Sequence, residues 1–448
     1  MQSEREVAVR GLMEILEKNA YGNLALRRIL SSNEGLNRQQ KAFVTEIVSG
    51  CIRNLILLDH IINKTSNTPT SKMKPAILNI LRASVYQMVF MDKVPVFAIC
   101  SEGTDLAKKF GFKGLSGFVN GVLRNISRGL NDIALPDFET EPLDYLKVKY
   151  SCQQWIAEHF VQELGLEVAK ELLDSVSAPP RTTLCVNTNK IGVEELREIL
   201  TGEGLDVADG AIVENCLTVT KTADLAALPS FKKGFYHVMD EAAALAVKCA
   251  TTGPNARIID ICAAPGGKSF ALAYATPGAK ILSRDIHDFK LNLIKQSAKR
   301  LGLDNIEVQA GDAAKFDRAL QNTADLLVVD APCTGLGTLR RRPDIKLGKP
   351  QSSIADLAAL QRKILAASWQ YVRPGGKLLY LTCTISRAEN LDNRNWLLKN
   401  FPLRPVDFSA QMPDFSGLAT AKEGYVQILP QYFGTDGFFI AVFERVGE

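Results

Sequence analysis

At 448 residues, 46% hydrophobic and 23% charged, with a net charge of +4, the chain has an ordinary globular composition and exceeds the size of one core, so two or three domains are expected. Its nine cysteines contain no Cys-x-x-Cys pair and its four histidines are isolated, which argues against zinc ribbons, other metal sites and disulfide frameworks. No run reaches the ~18 apolar residues of a membrane span, and the opening MQSEREVAVRG lacks the apolar core of a signal peptide; a monomer in a reducing cytoplasm is expected.

Residues 4–130 read as a series of helices. In EREVAVRGLMEILEKN (4–19), Val9, Leu12, Met13 and Leu16 recur at helical spacing, as do Ile77, Leu81, Val85 and Met88 in KPAILNILRASVYQMVFM. Pro75 suits a first turn, and Gly111 suits the C-cap of SEGTDLAKKFG. FVNGVLRNISRG (118–129) places Val119, Val122 and Leu123 on one face. Residues 1–130 carry 18 Lys and Arg against 10 Asp and Glu, a net +8 that leaves −4 for the rest. A basic first third suits a polyanion partner; on charge alone a solvated helical surface explains it equally well. DIALPDFETEPLD (132–144) reads as a linker.

From Tyr145 the pattern changes. SCQQWIAEHFVQELGLEVAKELLDSVS (151–177) predicts two short helices broken at Gly165 and ended by Pro179 and Pro180. TTLCVNTNK then predicts a strand, IGVEELREILTGEG a helix and AIVENCLTVTK (211–221) a strand, a small α+β module. From about 228, RIIDI, AKILSRDI, NIEVQAGD, DLLVVDAP, GGKLLYLTC and GFFIAVFER alternate with helical patterns, which predicts a mostly parallel sheet. The expected domains are 1–131, 142–227 and 228–448.

After RIIDI the chain reads CAAPGGKS and enters a helix. Glycines there let backbone approach a ligand. The loop is not GxGxxG, which disfavours a dinucleotide, and a P-loop would need glycine at Cys262. Asp285, Asp312 and Asp330 then recur at or just past successive strand ends, where a doubly wound sheet binds its ligand. A small-residue loop followed by acids suits S-adenosylmethionine, which offers a ribose, an amino group and a sulfonium and no phosphate.

Free cysteine is usually an inert small hydrophobe, and Cys51, Cys100, Cys152, Cys185, Cys216 and Cys249 are read that way, as is Cys262 beside its place in the cofactor loop. Cys333 and Cys383 differ: each lies just past an apolar run, in DLLVVDAPC and GGKLLYLTC. On neighbouring strands, two thiols would face one cofactor crevice. Methylation of a pyrimidine at carbon 5 needs such chemistry, because that carbon becomes nucleophilic only after a thiolate adds to carbon 6. One thiol suffices for attack and a second can assist release; Asp330, beside Cys333, suits the amino and ring-nitrogen edge of cytosine.

At these residues the chain resembles the RNA cytosine-5 methyltransferases of the Nol1/Nop2/Sun family. The matching motifs are DICAAPGGKS (260–269), DAPCTGLGTLRRRPDIK (330–346), TCTIS (382–386), EGYVQILP (423–430) and TDGFFIAVFER (435–445). SEGTDLAKKFG and FVNGVLRNI resemble the helical NusB-like RNA-binding domain, a pairing typical of the bacterial Sun/Fmu subgroup that methylates small-subunit (16S) ribosomal RNA. The resemblance implies a multidomain fold: an all-α NusB-like bundle, a small α+β module, and an α/β Rossmann-like class I methyltransferase domain. It implies S-adenosyl-L-methionine as cofactor, held by Cys262, Ala263, Ala264, Pro265, Gly266, Gly267, Lys268, Asp285, Asp312 and Asp330. It further implies Cys383 as nucleophile, Cys333 as the thiol that assists release, and Lys268 and Asp330 near the reacting groups. Other readings are the same chemistry on transfer RNA, an antitermination factor with a vestigial catalytic half, and a methyltransferase for proteins or small molecules; the last two leave the paired thiols unexplained. The chain departs from the family pattern at Cys152, Cys185, Met239 and Leu347, where histidine, arginine, glutamine and tryptophan are usual. The basic run LRRRPDIK (339–346) is expected at the cleft mouth, against phosphate.

Overall fold

A computed structural model describes residues 3–17, 22–220, 224–348 and 350–447. The chain forms two compact units, one of Met1–Ser177 with Arg342–Gly348, the other of Ala178–Arg341 with Lys349–Glu448.

The first unit is helical. Its helices include Glu4–Glu17, Arg38–Arg53, Leu55–Thr65, Pro75–Phe90, Val96–Lys109 and Ser116–Gly129. Leu12, Val48, Ile80, Leu81, Val119 and Leu123 share a core, and Pro75–Phe90, buried on all sides from Asn79 to Gln87, runs through it. Lys18 and Asn19, at the end of the first predicted helix, lie outside the described residues, as does Lys221 of the predicted strand. Local signals set the helix ends. Asn37 and Gln40 cap the second of these helices reciprocally, and Pro75 occupies the first turn of its helix. Gly111, at φ 86°, closes a Schellman motif: Phe112 N–H donates to Ala107 C=O at 2.8 Å and Gly111 N–H to Lys108 C=O at 3.0 Å. Helices Gln154–Leu164 and Leu166–Ser175 meet at Gly165, φ 82°.

The second unit opens with a four-stranded antiparallel sheet: β1 (Thr182–Val186), β2 (Val207–Asp209), β3 (Cys216–Val219) and β4 (Tyr236–Val238), in the order β2-β3-β1-β4. Helix Val193–Gly202 buries Leu196 and Leu200 in the same core as Leu184 and Leu217 of the sheet. The three-residue strands β2 and β4 are too short to announce themselves by alternation.

A larger sheet follows, built from β5 (Arg257–Asp260), β6 (Lys280–Asp285), β7 (Ile306–Ala310), β8 (Ala324–Asp330), β9 (Val372–Thr382), β10 (Leu403–Pro405), β11 (Tyr425–Ile428) and β12 (Phe438–Arg445). The order is β10-β12-β9-β8-β5-β6-β7, with β11 also paired to β12. Strands β5 to β9 are mutually parallel, whereas β12 runs antiparallel to β9. The central strands are buried on both faces, which explains their unbroken apolar runs. Ile258, Leu326, Val328, Leu379 and Leu381 fill one core, and Ile259, Leu327, Val329, Leu378 and Tyr380 the other. The order reverses at β5, which lies between β6 and β8, and this switch point opens a crevice at the carboxyl ends of the strands.

Candidate active site

The loop after β5 is shaped for close approach. Ala264–Pro265 is a cis peptide and Gly266 stands at φ 106°. A Cβ on Gly266 would lie 2.4 Å from the Phe270 ring, so glycine is required there. Ala263 N–H donates to Arg284 C=O at 2.9 Å, which ties the loop to β6. Cys262 is half-buried, and burial pushes its thiol up. Beneath the loop Asp260, fully buried, accepts from Ser269 Oγ at 2.7 Å.

The acids of the series fall at the ends of β6, β7 and β8. Asp285 Oδ1 accepts from His287 N–H and Asp312 Oδ1 from Ala314 N–H, both at 3.0 Å. Gly311 N–H donates to Asp285 C=O at 3.1 Å, joining the two strand ends. Each carboxylate is thus held by its own turn; Asp285 is buried, and Asp312 Oδ2 lies 3.5 Å from Lys315 Nζ. A glycine turn at a helix start and two oriented carboxylates fit a nucleoside that offers hydroxyl and amino donors.

Asp330, at the end of β8, is engaged by Lys268: Nζ donates to Oδ2 at 2.5 Å, and the ammonium lies 5.5 Å from the centre of the Phe438 ring. Burial works to lower the Lys268 pKa, but the Asp330 carboxylate outweighs it and the net shift is upward. Lys268 is held as a cation.

Pairing of Asp330 with Leu381 sets β8 and β9 side by side in register, and the two loops leaving them bring Cys333 Sγ within 3.3 Å of Cys383 Sγ. Both thiols are half-buried, as is Cys262; the other six cysteines are all buried. The Cys333 thiol is pushed well up, by its hydrogen bond to Cys383 first, then by burial and by the charges of Cys383, Glu389 and Asp330. Gly337 N–H donates to Cys383 C=O at 3.1 Å, and Gly437 N–H to Gly337 C=O at 2.8 Å. A Cβ on Gly337 would stand 2.0 Å from the Gly437 oxygen, so a side chain there would separate β12 from the thiol loop.

These distances are matched by family relationships along the whole chain. Residues 2–128 match the NusB family, 153–226 a ferredoxin-like domain described as RsmF/B-like, and 249–444 the 16S rRNA methyltransferase RsmB/F family. The chain is 35% identical over 451 residues to the probable ribosomal RNA small subunit methyltransferase B of Bacillus subtilis, covering 99% of each. The chain belongs to the RsmB/F family of 16S rRNA methyltransferases. It is 30% identical to the ribosomal RNA small subunit methyltransferase B of Shewanella oneidensis, with 98% of each chain covered. As an RsmB/F methyltransferase it also shares its fold with two solved structures. One is PH0851, with a TM-score of 0.81 and 24% identity over 99% of each chain. The other is NSun6 from Pyrococcus horikoshii, with a TM-score of 0.59 and 22% identity over 65% of this chain and 98% of that one.

One expectation about this RsmB/F chain is narrowed. Three of the four cations of the run 339–346 are engaged within the protein. Arg340 donates to Gly434 C=O at 2.7 Å, Arg341 bridges Asp240 and Asp436 at 2.7 and 3.0 Å, and Lys346 is fully buried. Arg340, Arg341 and Lys346 hold the fold because each meets a carboxylate or carbonyl that burial leaves no water to satisfy, whereas Arg342 is exposed, 3.5 Å from Asp344. The departures from the family pattern are likewise interior. Cys152, Cys185 and Met239 are buried, and Leu347 packs against the helical core. Sequence reasoning also missed Asp260, Glu389, Asn390 and the threonines after each thiol, Thr334 and Thr384; AEN (388–390) before a helix reads as an ordinary capping segment. Among the described residues no group of three or more His, Cys, Asp or Glu could hold a metal, and no helix is long and apolar enough to cross a membrane.

Proposed function

We propose that the chain methylates carbon 5 of a cytosine in 16S ribosomal RNA by covalent catalysis, with Cys383 as nucleophile, Cys333 as the thiol of release and S-adenosylmethionine as methyl donor. The observation that carries the reading is the 3.3 Å approach of the two thiols beside the Lys268–Asp330 pair. Two half-buried thiols face each other at adjacent strand ends, and pyrimidine C5 chemistry needs a thiolate at carbon 6. Names of relatives from B. subtilis and S. oneidensis support ribosomal over transfer RNA.

The residues divide the work. Asp285 and Asp312 would accept from the cofactor's hydroxyl and amino groups, and the 262–268 loop would hold its body. The bound cofactor supplies an electrophilic methyl group on a sulfonium. Asp330, oriented by Lys268, accepts from the cytosine amino edge, and the base must leave its stack to reach it. Cys383 forms the S–C6 bond, which makes carbon 5 enamine-like and able to take the methyl group. Loss of the C5 proton and cleavage of the S–C6 bond restore the ring and return Cys383 as thiolate. Cys333 assists that elimination.

Removing a nucleophile blocks the path at its start, while removing a release group deepens a trap along it. Cys383→Ala should therefore abolish methylation and form no RNA adduct. Cys333→Ala should accumulate a covalent protein–RNA complex that survives denaturing electrophoresis. Bisulfite mapping of 16S RNA from a deletion strain carrying each variant reads the methylation. Adducts with Cys383→Ala alone would reverse the roles, and full activity in both variants would refute covalent catalysis.

A further inference from the structure

Behind the two thiols lies a buried polar cluster that the reaction as written does not use. Glu389 and Asn390, 0% and 2% exposed, are neighbours in the chain, yet each engages a different thiol loop. The Glu389 carboxylate accepts from Thr334 N–H at 3.0 Å and from Thr334 Oγ1 at 2.5 Å, so it grips the residue immediately after Cys333. Gln361 Nε2, 2.9 Å from Glu389 Oε2, donates also to Pro332 C=O at 2.9 Å, immediately before Cys333. Asn390 brackets the other thiol in the same way. Its Oδ1 accepts from Thr382 Oγ1 at 2.5 Å and its Nδ2 donates to Thr384 C=O at 3.0 Å, the residues either side of Cys383. Thr334 Oγ1 and Thr384 Oγ1, 2.6 Å apart, join the two loops. Thr334 commits its single hydroxyl proton to Glu389, so Thr384 must be the donor between them. Tyr380 OH donates to Glu389 C=O at 2.6 Å and anchors the pair to β9.

We propose that Glu389 and Asn390 are a two-residue positioning brace, Glu389 setting the Cys333 loop and Asn390 the Cys383 loop, so that the thiols stay face to face and the one proton they share rests on Cys333. The inference rests on the covalent reading of the two cysteines. The charges are arranged to match. The Glu389 carboxylate and Asp330 both act on Cys333 as like charges, while the Lys268 ammonium interacts with Cys383. The hydrogen bond to Cys383 and these like charges favour a proton on Cys333. Once Cys383 is bonded to carbon 6 its charge is gone, and with it a main influence that kept Cys333 protonated. Cys333 then becomes free to act in release. A buried carboxylate is costly unless fully hydrogen-bonded, and here it accepts from Thr334, beside Cys333, and from Gln361, which also holds Pro332 C=O.

Glu389→Gln keeps shape and removes the charge; Asn390→Ala removes the other bracket. In both, kcat should fall roughly 10- to 100-fold, as misplacement of reacting groups does. KM for RNA and calorimetric affinity for S-adenosylhomocysteine should stay within about twofold, since neither residue lies on the cofactor loop or at the acids of the crevice. In a Cys383→Ala background, iodoacetamide labelling of Cys333 across pH should move its midpoint down by about one unit or more with Glu389→Gln, the scale of losing a nearby like charge. Asn390→Ala should leave that midpoint in place. Parental kcat in both variants, or an unmoved labelling midpoint in Glu389→Gln, overturns the brace. Should Glu389→Gln not fold, judged by loss of S-adenosylhomocysteine binding, Thr334→Val keeps the carboxylate and removes the hydroxyl link; a parental kcat in that variant also overturns it. An active Cys383→Ala would instead sink the covalent reading itself, so the two failures are told apart.

Discussion

Asp260 shows how burial at one residue writes itself into the pH dependence of the whole protein. It is fully buried under the cofactor loop, and its carboxyl is pushed up to about 7, by burial first, against the opposing Ser269 hydrogen bond and Lys268 charge. The sign follows from linkage. An unfolded aspartate titrates near ~3.9, so between about pH 4 and pH 7 the native state binds the extra proton. The stability due to this group is complete below pH 4 and is lost as pH rises through 7. Asp260→Asn keeps an acceptor for Ser269 and removes the ionisation. Its stability, read by thermal melts, should gain on the parent from pH 5 to pH 7 and level off above, with an upper limit of about 4 kcal/mol for a rise of about three pH units. A difference that stays flat over that range would mean the site ionises without cost. Asp436, likewise pushed up to about 7 by burial and by Asp240, should leave a residual slope in the variant.

At the scale of elements, close approach between helices is the property most exposed to a single atom. Helix Arg38–Arg53 meets Pro75–Phe90 at Gly50, where a Cβ would stand 2.0 Å from Tyr86 Cζ. Tyr86 cannot simply swing aside, because its hydroxyl donates to Glu46 at 2.5 Å. Gly50→Ala, which by helix propensity alone should stabilise by about 0.5–1 kcal/mol, should therefore destabilise by about 1–3 kcal/mol through overpacking. Thermal denaturation decides between the two signs. The periodicity of 75–90 was readable in the sequence, and so was Pro75 at its start. That Gly50 serves as a contact point was not, since nothing in GCIRN distinguishes a glycine pressed by a ring from one in a loose helix. The same holds for β8 and β9. Their apolar runs predicted buried strands, but only the register of Asp330 against Leu381 turns two separate cysteines into a pair.

At the scale of the whole molecule, the chain does not finish one unit before entering the next. Arg342–Gly348 leaves the methyltransferase sequence and belongs to the helical unit. Gln153 N–H donates to Lys346 C=O at 3.1 Å, and buried Lys346 donates to Tyr150 C=O at 3.0 Å. Burial lowers the Lys346 pKa to about 8, as expected for an ammonium whose bonding depends on a few fixed acceptors. A fragment 178–448 lacks those acceptors. Trypsin should spare Lys346 in the full chain and cut after it readily in the fragment, with S-adenosylhomocysteine binding retained by both. Equal resistance at Lys346 would mean the segment finds other partners.

Much of this protein could be read from the residues in order. Local periodicity marked the helical first third, the short helices either side of Gly165 and the parallel strands. The sequence of CAAPGGKS, Asp285, Asp312 and Asp330 marked a crevice at the strand ends, because ligand loops of such sheets follow each strand directly. Position past an apolar run separated Cys333 and Cys383 from the six buried cysteines. What the order of residues could not reveal is which polar groups the fold turns inward. LRRRPDIK, expected against phosphate, has Arg340, Arg341 and Lys346 consumed by Asp240, Asp436 and backbone carbonyls; AEN leads into the helix Leu391–Asn400 and also turns Glu389 and Asn390 inward, against the segments around Cys333 and Cys383. Periodicity reports which side chains avoid water. The pairing of buried charges and amides depends on partners far apart in the chain, and only the tertiary structure decides it.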